Sequence, residues 1–230
     1  MASAQARCDE VLEQLRSLGD PKNVEGMARY GIRVTKALGV SAPNLRALAK
    51  EIGRDHALAA QLWRTRIHDA RCLAALIDDP AQVTVQQMER WAKDFDSWAV
   101  CDCACGCLFD KTPFFWDKAI EWTERPDEYV KRAGFVLMAT LAVHDKKTPD
   151  ERFKSFLPRI VHHATDERNF VKKAVNWALR QIGKRSQYLN EAAVTTARQI
   201  RSIDSRSARW IASDALRELT RDEVRRRIKR

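Results

Sequence analysis

Apolar residues recur along this chain at the three-to-four spacing of an α-helix, and no segment reads as a convincing strand. Residues 130–142 show the pattern well. Val130, Ala133, Gly134, Leu137, Met138 and Leu141 fall at i, i+3, i+4, i+7, i+8 and i+11, one stripe of a helix. Stop and start signals interrupt the pattern at short intervals: Pro21, Gly39 to Pro43, Asp78-Asp79-Pro80, Thr112-Pro113, Arg125-Pro126 and Thr148-Pro149. Proline suits a helix start because the N–H it lacks would be unpaired there anyway. Between these marks the sequence predicts about a dozen helices of roughly 8–17 residues, an all-α fold.

The helices repeat. Tyr129-Val130-Lys131-Arg132-Ala133 matches Phe170-Val171-Lys172-Lys173-Ala174 at an offset of 41, and Ala178-Leu179-Arg180 matches Ala215-Leu216-Arg217 at an offset of 37. A period near 40 with two helices per unit is the signature of HEAT-like and ARM-like repeats. One such pair cannot bury its apolar face alone, so neighbours stack into a continuous core. If the second helix of each unit lines the concave side, Arg132 and Lys173 occupy equivalent places there. A groove carrying Arg71, Arg132, Lys173 and Arg180 would be strongly basic, with Asp102 as its exceptional acid.

Composition adds a partner. The 230 residues are 45% hydrophobic, enough for a real core, and hold only 8 Gly and 7 Pro, few for a turn-rich β fold. The net charge of +10 points to a polyanion. Residues 221–230 carry six basic and two acidic side chains, a basic tail that reads equally well as a solvated helix end. One domain is expected over 1–230, with its core at about 10–220. No run of 18 apolar residues exists, and the N-terminal residues hold no signal-peptide stretch, so a cytoplasmic protein is expected. The six cysteines then read as free thiols or ligands rather than a disulfide framework.

Several clusters could carry chemistry. Trp98 and Asp102 are four apart and share one helix face. Taken alone they read as a core aromatic and a surface acid. Paired in a basic groove, they suit a sugar–phosphate ligand. Lys173, Trp177 and Arg180 form a second stripe of interleaved basic and aromatic residues that fits backbone binding. Equally, Trp177 could face the core while the lysines face water. Cys101, Cys103, Cys105 and Cys107 alternate through one helical stretch. On a helix, 101/105 and 103/107 form separate stripes, which cannot converge on one metal without unwinding, so buried thiols are expected and no metal. The histidines at 56, 68, 144, 162 and 163 show no ligand spacing, and His162-His163 reads as a charge at a helix C-terminus. Phosphate-loop, dinucleotide-binding, zinc-protease and serine-hydrolase motifs are absent.

Five stretches carry a family resemblance: Met27 to Tyr30, Leu38 to Arg46, Trp98 to Asp102, Val130 to Ala133, and Lys173 to Arg180. In this order, over about residues 10–220, they resemble the AlkD family of HEAT-like-repeat DNA alkylation repair glycosylases. The resemblance implies a right-handed superhelical solenoid. It implies a cofactor-free, monomeric DNA glycosylase of base excision repair that hydrolyses the N-glycosidic bond of N3- or N7-alkylated purines in double-stranded DNA. The lesion would not be flipped into a pocket and the strand would not be cut. By this resemblance Asp102 is the catalytic aspartate, Trp98 and Trp177 pack against the lesion deoxyribose, and Arg132 completes the site. Tyr30 lies near the lesion strand, and the segment from Pro43 to Arg46 contacts backbone phosphate at a helix start. Ala42 departs from the family, which often has a hydroxyl residue there, and the cysteine run is a second departure. The alternative is a non-catalytic solenoid that binds nucleic acid or serves as a scaffold.

Overall fold

The computed structural model describes residues 4–32 and 35–228. Met1 to Ser3, and Lys229 and Arg230 of the expected tail, lie outside the described residues. The chain divides into two compact units, Met1–Phe114 and Phe115–Arg230. Among the described residues every regular element is helical.

The first unit holds α1 (Ala4–Ser17), α2 (Pro21–Arg29), α3 (Ala42–Ile52), α4 (His56–Arg64), α5 (His68–Ile77), α6 (Val85–Lys93) and α7 (Trp98–Cys107). Each predicted punctuation mark in this stretch falls at a boundary. Pro21 opens α2, Pro43 sits in the first turn of α3, and Asp78 to Pro80 separates α5 from α6. Capping fixes the starts: the side chains of Asp20, Ser41, Asp55, Thr84 and Ser97 each accept a backbone N–H of the helix that follows. Helix α5 is the centre of this unit, packed against α1, α3, α4 and α7, and nine of its ten residues are buried. A stacked pair, Trp63 on Trp91 with centroids 3.8 Å apart, fills the space between α4 and α6.

The second unit holds α8 (Phe115–Glu121), α9 (Glu128–His144), α10 (Asp150–Lys154), α11 (Leu157–His162), α12 (Asn169–Gly183), α13 (Gln187–Arg201), α14 (Arg206–Leu219) and α15 (Asp222–Ile228). The matched repeats coincide with real equivalents. Val130 and Val171 both lie in the first turns of long helices, α9 and α12, which pack on each other, and α12 packs in turn on α14. Helix α9 is buried well beyond its predicted stripe because α8 covers it from the other side. Gly134 allows that approach: a Cβ there would lie 3.1 Å from the Ala119 carbonyl oxygen of α8 and 2.7 Å from the Thr123 backbone nitrogen just after it. The elements beyond the expected dozen are short, such as five-residue α10 after Pro149 and six-residue α11 around Pro158. Helix α15 buries none of its residues, as a solvated end would. No helix among the described residues is long and apolar enough to cross a membrane.

Candidate nucleic-acid interface

In the first unit, Ser97 caps α7 and is itself fully buried, so the helix start that carries Trp98 is held firmly. Val100, Cys101, Ala104 and Cys105 point inward with no exposed surface. Trp98 and Asp102 lie on the other face, both half-buried. The indole N–H of Trp98 donates to the Tyr30 carbonyl at 2.8 Å. Tyr30 ends α2, and its own ring is 73% exposed. The structure therefore links Trp98 to the Tyr30 main chain and sets Asp102 one turn further along the same face of α7.

Arg71 corrects the sequence reading. It was expected as an exposed groove cation, yet it is 2% exposed. Its guanidinium grips both Asp96 carboxylate oxygens at 2.6 Å and donates to the Asp94 carbonyl at 2.8 Å. Held by a carboxylate through one nitrogen and by a carbonyl through another, the guanidinium is a strut. It fixes the turn from α6 into α7 two residues before Trp98. A periodic helix pattern cannot show this, because the partners arrive more than twenty residues later.

Asp69 was missed by the sequence reading. Its carboxylate accepts the backbone N–H groups of Leu38 and Val40 at 2.6 and 2.8 Å, anchoring the segment that leads into α3. At the start of α3, Ser41 caps the Asn44 N–H, and Pro43 and Arg46 are exposed, with no ion pair on Arg46 among the described residues.

The cysteines divide as predicted into an inward stripe, Cys101 and Cys105, and a half-buried one, Cys103 and Cys107. The Cys103 and Cys107 sulfurs are 4.0 Å apart, and the Cys103 thiol donates to the Cys72 carbonyl at 3.5 Å. Burial pushes the Cys105 thiol well above its ordinary pKa. At Cys103 the Cys107 contact works the other way, but the bond to Cys72 and burial outweigh it, and that thiol is also pushed well up.

In the second unit, Arg132 is 6% exposed and donates to the Phe170 carbonyl at 2.7 Å, tying α9 to the start of α12 beneath the Tyr129–Phe170 ring contact. Trp177 is half-buried on α12, and Lys173, one turn earlier, is exposed and makes no ion pair among the described residues. Arg180, expected at the groove surface, is committed: it pairs with Glu218 and lies 3.6 Å from Asp214. Lys184 holds the other Glu218 oxygen at 2.6 Å. Arg71 and Arg180, each within its own unit, thus spend their charge internally instead of standing as free cations. The histidine pair also behaves differently from expectation. His162 and His163 come within 4.8 Å of Glu124 in donor-atom terms. That carboxylate is already gripped by Arg159 at 2.5 Å and His163 at 3.4 Å, an ion-pair cluster rather than an open ligand set.

The family model described as DNA alkylation repair enzyme matches residues 11–219. An uncharacterized protein of Listeria innocua, Lin0241, is 21% identical over 199 residues, which is 85% of this chain and 87% of that protein. A solved structure described as a new family of proteins related to the HEAT-like repeat DNA glycosylases, with affinity for branched DNA structures, matches with a TM-score of 0.76 at 20% identity. The match covers 91% of this chain and 94% of that one. The fold is therefore the HEAT-like-repeat fold of the DNA glycosylases and their relatives.

Proposed function

Because the chain belongs to the DNA alkylation repair enzyme family, we propose that it is a monofunctional DNA glycosylase that releases N3- or N7-alkylated purines, with Asp102 as its carboxylate. The observation that carries this reading is the Trp98–Asp102 pair on α7. A half-exposed carboxylate stands one turn beyond an indole whose edge is pinned to the Tyr30 carbonyl. The unbroken family match over both compact units supports treating them as one repair domain.

The chemistry needs little more. Alkylation at N3 or N7 makes the purine a cation. When the C1′–N9 bond breaks, its electron pair neutralises the departing base and leaves an oxocarbenium-like sugar. A carboxylate near C1′ stabilises that cation and orients the incoming water, whose oxygen bonds C1′ as its proton leaves. Tryptophan faces add cation–π attraction of about 0.5–2 kcal/mol each as the sugar gains charge. No lysine nucleophile takes part, so the product is an uncut abasic strand. Trp177 serves as the second aromatic in this reading. Arg132 acts as a positioning residue, its N–H on the Phe170 carbonyl setting the start of α12. The exposed Pro43–Arg46 segment and Lys173 supply backbone-phosphate contacts, while Arg71 and Arg180 serve as internal struts. The protein acts as a monomer on double-stranded DNA, without a cofactor.

The test is release of free base from a duplex holding a single N7-methylguanine, with the strand left intact. A second reading has a specific motive, since the related solved protein is described as having affinity for branched DNA. In that reading this chain binds forked DNA and releases no base. The same assay, run beside binding to a fork, separates the two.

A further inference from the structure

Trp210 on α14 is 41% exposed, although the same helix buries Ser207, Ala208, Ile211, Ala212, Ala215 and Leu219 completely or nearly so. A large aromatic left in water beside a well-made core stripe calls for an explanation. The repeat supplies a first clue. The offset of 41 relates Arg132 to Lys173, and the offset of 37 relates Lys173 to Trp210. Trp210 therefore stands on α14 where Lys173 stands on α12, and these two helices pack together.

Charge supplies the second. The Lys172 ammonium lies 5.4 Å from the Trp210 ring centroid. Lys173 is its exposed neighbour, and Arg206 is exposed one turn before Trp210 on the same face. None of the three makes an ion pair among the described residues. The acids nearby are committed elsewhere. Glu167 accepts the Ser205 hydroxyl and the Ser207 N–H at the start of α14. Asp214 takes Asn176 at 2.7 Å and pairs with Arg180 and Arg217. Asp204 holds Arg209 at 2.8 Å. Glu167 keeps its charge, but Lys172, Lys173 and Arg206 outnumber it, so the charge around the ring is net positive. Tyr188, also exposed beneath a lysine, makes the contrast. Its hydroxyl accepts from Lys154 at 3.0 Å, and Glu151 and Glu191 line the same groove, so that surface is mixed in sign.

We propose that Trp210, with Lys172, Lys173 and Arg206, is a stacking platform for an unpaired nucleobase of bound DNA, the cations holding the phosphates on either side of it. Aromatic stacking is tolerant of sequence because every base has a π-face, and basic residues flanking the ring follow the strand. The proposal rests on the reading of this protein as DNA-binding, but not on its releasing a base.

The experiment measures equilibrium binding of two fluorescein-labelled probes: a fork with oligothymidine arms and a blunt duplex of the same paired sequence. Trp210→Ala should weaken fork binding about tenfold and leave duplex binding within about twofold. Trp210→Phe should restore most of the loss. Thermal melting of both variants guards against a folding defect. Replacing Lys172, Lys173 and Arg206 together by alanine should flatten the salt dependence of fork binding. Fork binding by Trp210→Ala equal to wild type overturns the platform. Wild-type protein that binds neither probe overturns the platform and the DNA reading together. A Trp210 effect on fork binding without any base release leaves the platform standing and removes only the glycosylase reading.

Discussion

The indole N–H of Trp98 donates to the backbone carbonyl of Tyr30, 68 residues away in sequence, at 2.8 Å. The bond uses the main chain of Tyr30 and not its ring, so the two residues can be tested separately. Trp98→Phe keeps an aromatic but removes the donor. It should cost about 1 kcal/mol in urea unfolding and lower base release about ten- to a hundredfold through misplacement of the ring. Tyr30→Phe should leave both nearly unchanged. A loss from Tyr30→Phe equal to that from Trp98→Phe would show that the phenol contributes as well and would contradict a role for the Tyr30 main chain alone.

Arg71 and Asp96 make a buried-to-surface pair. The guanidinium is 2% exposed and the carboxylate 47%. Removing the acid strands a buried charge, whereas removing the base lets Asp96 return to water. Asp96→Ala should therefore cost about 3 kcal/mol and Arg71→Met less. As a strut, Arg71 contributes no counterion release. The slope of log affinity for duplex against log salt should stay as it is in Arg71→Met. A slope shallower by about 1 would identify a phosphate contact instead.

Much of the architecture is written in the apolar period and its proline breaks. Pro21, Pro43 and the Asp78 to Pro80 turn mark true boundaries, and the 41-residue offset pairs helices that do pack. Trp98 and Asp102 share an outward face because four residues nearly complete a turn. Arg71 and Arg180 were misjudged for one physical reason. Whether a basic side chain on a helix meets water or an acid depends on a partner from another element, here Asp96 and Glu218, and local periodicity carries no record of it. Asp69 escaped notice likewise, since its partners are backbone N–H groups about thirty residues earlier. Trp210 gave no signal of its own in the sequence, because apolar spacing alone does not separate an exposed ring from a buried one.

Acid should destabilise the protein in two stages. Burial lowers the His163 pKa, against the opposing hydrogen bond that its ring donates to Glu124, and burial lowers that of His68 as well. A depressed folded pKa means that the folded state binds fewer protons than the unfolded chain. Stability is then present above the unfolded value of about 6.5 and is lost as pH falls through the folded values. At lower pH Glu218 joins them. Burial works to raise its pKa, but the bonds from Lys184 and Arg180 outweigh burial and hold it below the usual carboxylate range. Asp78 acts in the opposite sense: burial raises its pKa despite His56 and Gln87, so its contribution is largest in acid and is lost as pH rises through its folded value. Urea midpoints measured from pH 8 to pH 4 should fall below about pH 6.5, and His163→Gln should flatten the first stage. Midpoints that rise on acidification would contradict these signs.

The central claim is that the Asp102 carboxylate performs the chemistry. Single-turnover release of N7-methylguanine from duplex DNA, compared between wild type and Asp102→Asn, tests it most directly. The account predicts a fall of about a hundredfold or more, with duplex affinity and melting temperature unchanged, because Asp102 is half-exposed and the isosteric amide keeps its shape. Release by Asp102→Asn at the wild-type rate would contradict it.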